Sequence, residues 1–335
     1  MENKINKKLT IVFLGDLYDP TKKIMLGKEF DYVVCEDISS IIDNKENVNV
    51  IIVKSPKILG IHEISQFPNL LVISTTGKGF DNVDIEYATK KGILVLNNPV
   101  IATTAVVEHT FSMMFGLLKR TNFYHKQVLQ NNYSIRDEVR PIQLSGKTLG
   151  ILGYGKIGQQ VSSIAYTAFN MRVQVFDPFY REQGSVNNNF LFTGLEEVLK
   201  TSDIISLHAE LNKNTSKLLG KYELSIMKQG SYLINTARGG LIDMLALKKA
   251  LLVRHISAAA LDVFEPEPPE IGFFEEVNEY LLLSPHIGGV TDITASKLSQ
   301  SVLDNVLMAV NNGTCINVLN PEVQDTYLLK LKELR

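Results

Sequence analysis

The sequence predicts an α/β protein made of two parallel-sheet units, the second doubly wound. Short apolar runs alternate with helix-compatible segments along both halves of the chain. One long helical segment separates the two series, and in the second a glycine-rich turn follows directly on a buried strand.

In the first series the strand runs are Leu9 to Leu14, Tyr32 to Cys35, Val50 to Val53, Leu70 to Ser74 and Ile93 to Leu96. Each is a short, nearly continuous apolar stretch, the pattern of a strand covered on both faces, and segments such as Asp84 to Lys91 between them suit helices. From about Ala102 to Gln130 the chain has no proline and Gly116 as its sole glycine, with Val106, Met113, Leu117 and Phe123 near helical spacing; one connecting helix is expected.

After Pro141 the strand candidates are Thr148 to Leu152, Arg172 to Phe176, Asp203 to Leu207, Ser231 to Asn235, Ser257 to Val263 and Tyr280 to Leu283. Ile157, Val161, Ile164, Ala165 and Ala168 mark the buried face of one intervening helix, and Met244, Leu247 and Leu251 that of another. A last helix is predicted from about Thr291 to Val310, stopped by Asn311-Asn312-Gly313.

Composition narrows the function. Of 335 residues 45% are hydrophobic, and 34 basic against 36 acidic side chains leave a net charge of -2, so no global field draws the chain to nucleic acid or a membrane; a small-molecule partner is expected. Cys35 and Cys315 are far apart and lack metal-site spacing, so no metal is expected and two inert thiols are. The N-terminal lysines lead into a strand-like run rather than a cleavable signal, and no apolar stretch approaches the roughly 18 residues of a membrane helix, so the expected location is the cytoplasm.

The run Thr148 to Gly158 carries the first chemical signal: a buried strand enters Gly153-Tyr154-Gly155-Lys156-Ile157-Gly158 and then an amphipathic helix. Gly153 suits the tight turn, Gly155 lets backbone approach a pyrophosphate, Gly158 permits helix-on-strand packing, and the amides of Lys156 and Ile157 open the helix toward an anion. Asp177, ending the next strand, is placed to accept bonds from ribose hydroxyls and to repel a 2′-phosphate. NAD is therefore the predicted cofactor, with Arg181 leaving NADP as the alternative.

Three further segments follow strands: Asn235-Thr236-Ala237-Arg238-Gly239-Gly240, Asp262-Val263-Phe264-Glu265-Pro266-Glu267-Pro268, and Pro285-His286-Ile287-Gly288-Gly289. Ligands of open α/β sheets bind outside the carboxyl ends of strands. An Arg, a Glu and a His gathered there beside a nicotinamide suit reversible hydride transfer between NAD and a carbon bearing a hydroxyl.

With these motifs, and with Thr76-Gly77-Lys78-Gly79-Phe80-Asp81-Asn82-Val83-Asp84 in the first half, the chain resembles the D-isomer-specific 2-hydroxyacid dehydrogenase family over nearly its whole length. The resemblance implies a Rossmann NAD-binding domain, residues 101–290, inserted into a flavodoxin-like substrate domain of residues 1–100 and 291–335, with the active site in the cleft between them and a homodimer formed through the cofactor domain.

It also implies the roles. Arg238 binds the substrate carboxylate, His286 takes the hydroxyl proton, and Glu267 orients the imidazole and stabilises its protonated form. Glu265 is the rival carboxylate, but the family acid directly precedes the proline of the Glu267 position; formate-oxidising relatives carry Gln there, which argues against formate. Asp262 corresponds to the residue that bonds the nicotinamide carboxamide, Thr236, Ala237, Gly288 and Gly289 line the same pocket, and Ala209 and Thr215 approach the cofactor's far side. Glu210 departs from the proline common at its position. Gly77, Lys78 and Gly79 form the substrate loop. His62, His109, His125, His208 and His255 lack any ligand or triad spacing and read as packed or surface residues.

Lys78 stands where many relatives have a small or apolar residue, and its loop is similar to that of phosphite dehydrogenase. It selects a substrate of extra negative charge, or it points along the cleft to solvent or a cofactor phosphate. A D-2-hydroxyacid leads; phosphite or a phosphonate-type acid, 3-phosphoglycerate and an NAD(H)-sensing corepressor are the alternatives. The short ends offer no interaction tail for the last, nor a regulatory domain after the tail helix for serine synthesis.

Overall fold

A computed structural model describes residues 8–41, 45–98, 101–182, 189–313 and 315–334. The chain divides into two compact units, Met1–Ala102 with Val290–Arg335, and Thr103–Gly289.

The first unit is a five-stranded parallel sheet of β1 (Leu9–Leu14), β2 (Phe30–Cys35), β3 (Val48–Val53), β4 (Val72–Thr75) and β5 (Leu94–Leu96) in the order β2-β1-β3-β4-β5, the flavodoxin-like arrangement. Every residue of β3 is buried, as a central strand covered on both faces requires. Neighbouring residues sort to opposite faces: Phe13, Val50, Ile52 and Leu94 to one core, Val12, Ile51, Val53 and Val95 to the other. The first of these faces is covered by the Asp292–Asn312 helix, through Val302, Leu303, Val306 and Val310, and by Tyr327 and Leu331 of the Gln324–Leu334 helix. The two ends of the chain thus complete one core.

The second unit holds β6 (Thr148–Leu152), β7 (Arg172–Phe176), β8 (Phe190–Phe192), β9 (Ile204–Leu207), β10 (Ser231–Asn235), β11 (Ile256–Leu261) and β12 (Leu281–Leu283). Its order, β12-β11-β10-β9-β6-β7-β8, reverses direction between β6 and β9, the switch point at which doubly wound sheets bind dinucleotides. Leu149, Ile151, Ile204 and Ile234 pack under the Thr103–Lys119 and Lys156–Phe169 helices, while Leu152, Ile205, Leu207 and Leu233 face the Met244–Leu252 helix on the other side.

Three elements depart from the sequence expectation. The connecting helix is two helices, Thr103–Lys119 and Thr121–Leu129, broken at Arg120, which adopts φ 52° with its guanidinium 4.3 Å from the Phe123 ring centroid. The Leu118 carbonyl, released from the helical ladder by that break, accepts the Ile142 amide at 3.0 Å. Strand β8 and the Gln324–Leu334 helix have no counterpart among the predicted elements: three residues are too few to show a period, and the helix buries Tyr327 and Leu331 alone. Among the described residues no helix is long and apolar enough to cross a membrane.

Candidate active site

The fingerprint turn after β6 is shaped by contacts that only glycine permits. Gly153 has φ 98°, and a Cβ there would lie 2.5 Å from the Ala209 amide nitrogen, so the loop after β9 packs directly on the turn. A Cβ on Gly158 would stand 2.2 Å from the Gly153 carbonyl oxygen, whereas one on Gly155 would meet nothing within 4 Å. The open side of the turn is therefore at Gly155, N-cap of the Lys156–Phe169 helix, where the first-turn amides of Lys156 and Ile157 have no carbonyl within the helix to satisfy them. This space and these donors fit a pyrophosphate.

Asp177, after β7, accepts the Tyr154 amide at 2.7 Å on Oδ2 and the Phe179 amide at 3.0 Å on Oδ1, so its carboxylate is fixed beside the same turn with a lone pair left on each oxygen. The Arg181 side chain lies outside the described residues. Thr215 closes its own loop, accepting from the Asn212 amide at 2.8 Å and donating to the Glu210 carbonyl at 2.5 Å.

After β10, the fully buried Asn235 organises the Arg238 turn: its Oδ1 accepts the Ala237 amide at 3.0 Å and its Nδ2 donates to the Arg238 carbonyl at 2.8 Å. Arg238 Nη1 donates to the Ala237 carbonyl at 2.7 Å. Gly239 allows this turn to rest on the next loop, since a Cβ there would lie 2.0 Å from the Phe264 carbonyl carbon. Thr236 is buried, its hydroxyl 2.9 Å from that of Thr110.

The loop after β11 supplies the carboxylate. Glu267 Oε1 accepts the Phe264 amide at 2.9 Å, and Oε2 stands 2.7 Å from His286 Nδ1, so Glu267 rather than the exposed Glu265 pairs with the imidazole. The side chains are 13% and 33% exposed for Glu267 and His286, and Nε2 is the ring nitrogen not committed to the carboxylate. His286 has φ 53°, a left-handed conformation uncommon outside glycine, and is held there by its amide on the Asp262 carbonyl at 2.8 Å.

Asp262 is 1% exposed and is the hub of this turn. Oδ1 accepts the Ser284 hydroxyl at 2.6 Å and the Ile287 amide at 3.0 Å, and Oδ2 accepts the Gly288 amide at 2.8 Å. Burial alone would raise its pKa, but bonds from His109, Ser284, Ile287 and Gly288 outweigh it and hold the carboxyl below its ordinary value. A Cβ on Gly288 would come 2.9 Å from Asp262 Oδ2, so the turn tolerates no side chain there.

In the first unit, the loop after β4 is tied by asparagines. Asn98 donates its amide to the Gly77 carbonyl at 2.9 Å and its side chain to the Thr75 carbonyl at 2.9 Å, and Asn97 Nδ2 donates to the Lys78 carbonyl at 2.9 Å. Planar trans peptides then turn the Lys78 and Gly79 N–H groups to the opposite side from Asn97 and Asn98. Lys78 itself is exposed.

Sequence reasoning missed Asn235, Asn97, Asn98, His109 and Ser284. The asparagines flank the motifs directly, and an amide side chain closing a strand was a readable signal; His109 and Ser284 meet across 175 residues, which no local spacing encodes.

A family model for the D-isomer specific 2-hydroxyacid dehydrogenase NAD binding domain matches residues 111–288. The chain is 33% identical over 309 residues to D-3-phosphoglycerate dehydrogenase of Bacillus subtilis, covering 92% of this chain and 58% of that one. It is 34% identical over 266 residues to glyoxylate reductase of Aeropyrum pernix, covering 78% and 79%. The solved D-lactate dehydrogenase of Aquifex aeolicus, complexed with NAD and lactic acid, aligns with a TM-score of 0.80 at 29% identity over 95% of this chain and 98% of that one. This chain belongs to the D-isomer specific 2-hydroxyacid dehydrogenase family, and NAD(P) is its cofactor. It spans little more than half the length of the phosphoglycerate dehydrogenases it matches, 58% and 56% for those of Bacillus subtilis and Methanocaldococcus jannaschii.

Proposed function

We propose that the protein catalyses reversible hydride transfer between a D-2-hydroxyacid and NAD, yielding the 2-oxoacid in the oxidative direction. The observation that carries this reading is the 2.7 Å bond from His286 Nδ1 to Glu267 Oε2, which commits one ring nitrogen to a carboxylate and leaves Nε2 for the substrate oxygen.

The bound nicotinamide supplies the hydride acceptor or donor. In the oxidative direction the C2–H bond of the substrate breaks with its electron pair, and His286 Nε2 takes the hydroxyl proton as the carbonyl forms. Glu267, already held by the Phe264 amide, keeps the ring oriented and offsets the charge it gains. Arg238 holds the substrate carboxylate with a planar guanidinium that stays charged throughout. Gly77, Lys78 and Gly79 are assigned to substrate binding through backbone amides, with Lys78 favouring a compact or additionally anionic acid. Asp262, Thr236, Ala237, Ala209, Thr215, Gly288 and Gly289 are assigned to the cofactor; for Asp262 this uses the acceptor capacity left beyond its internal bonds. Asp177 supports NAD over NADP.

The named relatives reduce or oxidise acids bearing a C–O function, and the phosphite and corepressor readings draw no support from them. The test incubates the protein with NAD or NADH and a panel of D-lactate, D-glycerate, 3-phosphoglycerate, glyoxylate and phosphite, following reduced nicotinamide, with His286→Ala and Lys78→Ala alongside. Turnover of at least one C–OH acid or oxoacid that disappears in His286→Ala is expected. Cofactor binding without turnover of any of them, or turnover of phosphite alone, overturns the proposal. Sedimentation decides whether the proposed dimer forms.

A further inference from the structure

Behind the His286–Glu267 pair lies a second imidazole that the proposed reaction does not use. His109, on the Thr103–Lys119 helix, places Nε2 3.0 Å from Ser284 Oγ and 3.3 Å from Asp262 Oδ1. The Ser284 hydroxyl proton is directed to Asp262 Oδ1 at 2.6 Å, so an unprotonated Nε2 would set its lone pair against two oxygens. The arrangement is satisfied when Nε2 carries a proton and donates it toward Ser284 and Asp262.

What this chain holds is the backbone of His286. Asp262 takes the amides of Ile287 and Gly288 on its side chain and that of His286 on its carbonyl. The turn that keeps His286 at φ 53° therefore answers to one buried carboxylate, and His109 is the remote donor on it. The ring also lies against the turn: a Cβ on Gly288 would come 3.1 Å from His109 Cδ2.

Taking His286 as the proton-transfer group, we propose that His109 is a positioning residue: by donating from Nε2 to the Ser284–Asp262 pair it fixes the turn of residues 284–288 and so aims the His286 ring. In the proposed reaction His286 moves the proton, and His109 acts through the turn that carries it.

The test separates positioning from bulk packing. His109→Gln carries an amide N–H near the position of Nε2, whereas His109→Phe keeps a ring and deletes the donor. His109→Phe is expected to lower kcat about 10- to 100-fold, the scale of a displaced catalytic group, with His109→Gln recovering most of the loss. Independently of turnover, the His286 ring-nitrogen resonances of 15N-histidine-labelled, ligand-free protein should move in His109→Phe and return to their wild-type positions in His109→Gln. Ser284→Ala cuts the same chain one bond later, and the same direction of movement is expected if His109→Phe does not fold. His286 spectra unchanged in both His109→Phe and Ser284→Ala overturn the proposal, as does a Gln variant as impaired as the Phe variant. Absence of turnover in the wild-type protein refutes the proposed activity instead, and the ligand-free spectra still decide the role of His109.

Discussion

Replacing Glu267 with Gln tests the site at its centre. Both groups that reach this side chain are donors, the Phe264 amide at 2.9 Å on Oε1 and His286 Nδ1 at 2.7 Å on Oε2. A carboxylate accepts both, but a carboxamide has one accepting end, so in Glu267→Gln either the loop amide or the imidazole faces an NH2 group. The variant also loses the charge that offsets the imidazolium. A hydrogen bond involving a charged group contributes about 1.5–3 kcal/mol, and with His286 one-third exposed the upper end is not expected. The predicted fall in kcat is about 10- to 100-fold, measured by steady-state turnover of the best acid from the panel. Binding of reduced cofactor, read from its fluorescence, should change little, because Glu267 contacts neither the fingerprint turn nor Asp177. Glu265→Gln is the control and should leave kcat within about twofold, on the scale expected of an exposed side chain. A Glu267→Gln enzyme with wild-type kcat, or a large loss in Glu265→Gln instead, refutes the assignment.

Arg238→Lys should raise KM for the acid and lower kcat, together reducing kcat/KM by about 100-fold or more, since a point charge replaces a bidentate grip; an unchanged kcat/KM would remove Arg238 from the substrate. Asp177→Ser deletes the carboxylate beside the Tyr154 amide, and the NAD-to-NADP preference in kcat/KM should fall at least about tenfold, whereas an unaltered ratio places cofactor discrimination elsewhere. His208 gives a pH prediction: burial pushes its imidazole down to about 3 from 6.5, with Nε2 2.9 Å from Ser206 Oγ, so unfolding takes up a proton between those values. Its neutral burial costs nothing above pH 6.5 and destabilises progressively as pH falls toward 3, with a slope of at most about 1.4 kcal/mol per pH unit. Thermal melts of His208→Gln should lose less stability over that range than the wild type, and parallel curves would contradict the assignment.

What the sequence showed was what repeats locally. The runs that became β1, β3 and β6 stood out because a parallel strand covered on both faces is nearly continuously apolar, and the Gly153–Gly158 fingerprint stood out because Gly153 and Gly158 answer close contacts while Gly155 leaves the turn open. Arg238, Glu267 and His286 were singled out by the motifs around them, each on a loop that follows a strand, and the structure pairs Glu267 with His286. The break at Arg120 was not, because the Leu118 carbonyl that leaves the helical ladder there accepts the Ile142 amide, a contact beyond any helical period. The network around Asp262 was hidden for the same reason: His109 reads as an ordinary helix residue until Ser284 is brought beside it.

The distribution of these residues explains why chemistry and substrate choice are legible to different degrees. Arg238, Glu267, His286 and their supports Asn235, Asp262, Ser284 and His109 all belong to the unit of residues 103–289, at a strand end of one sheet, on loops leaving it or on the helix that packs over it. Their geometry depends on hydrogen bonds within one compact body, so proton transfer can be tested there variant by variant. The loop of Gly77, Lys78 and Gly79 belongs to the other unit, where Asn97 and Asn98 fix its carbonyls and leave Lys78 exposed. The proposed function thus assigns proton transfer to one unit and substrate choice to a loop of the other. Lys78→Ala should accordingly change the ranking of acids in the panel and leave the dependence on His286 intact; a Lys78→Ala enzyme that loses turnover of every acid equally would place that lysine in the chemistry and undo the division.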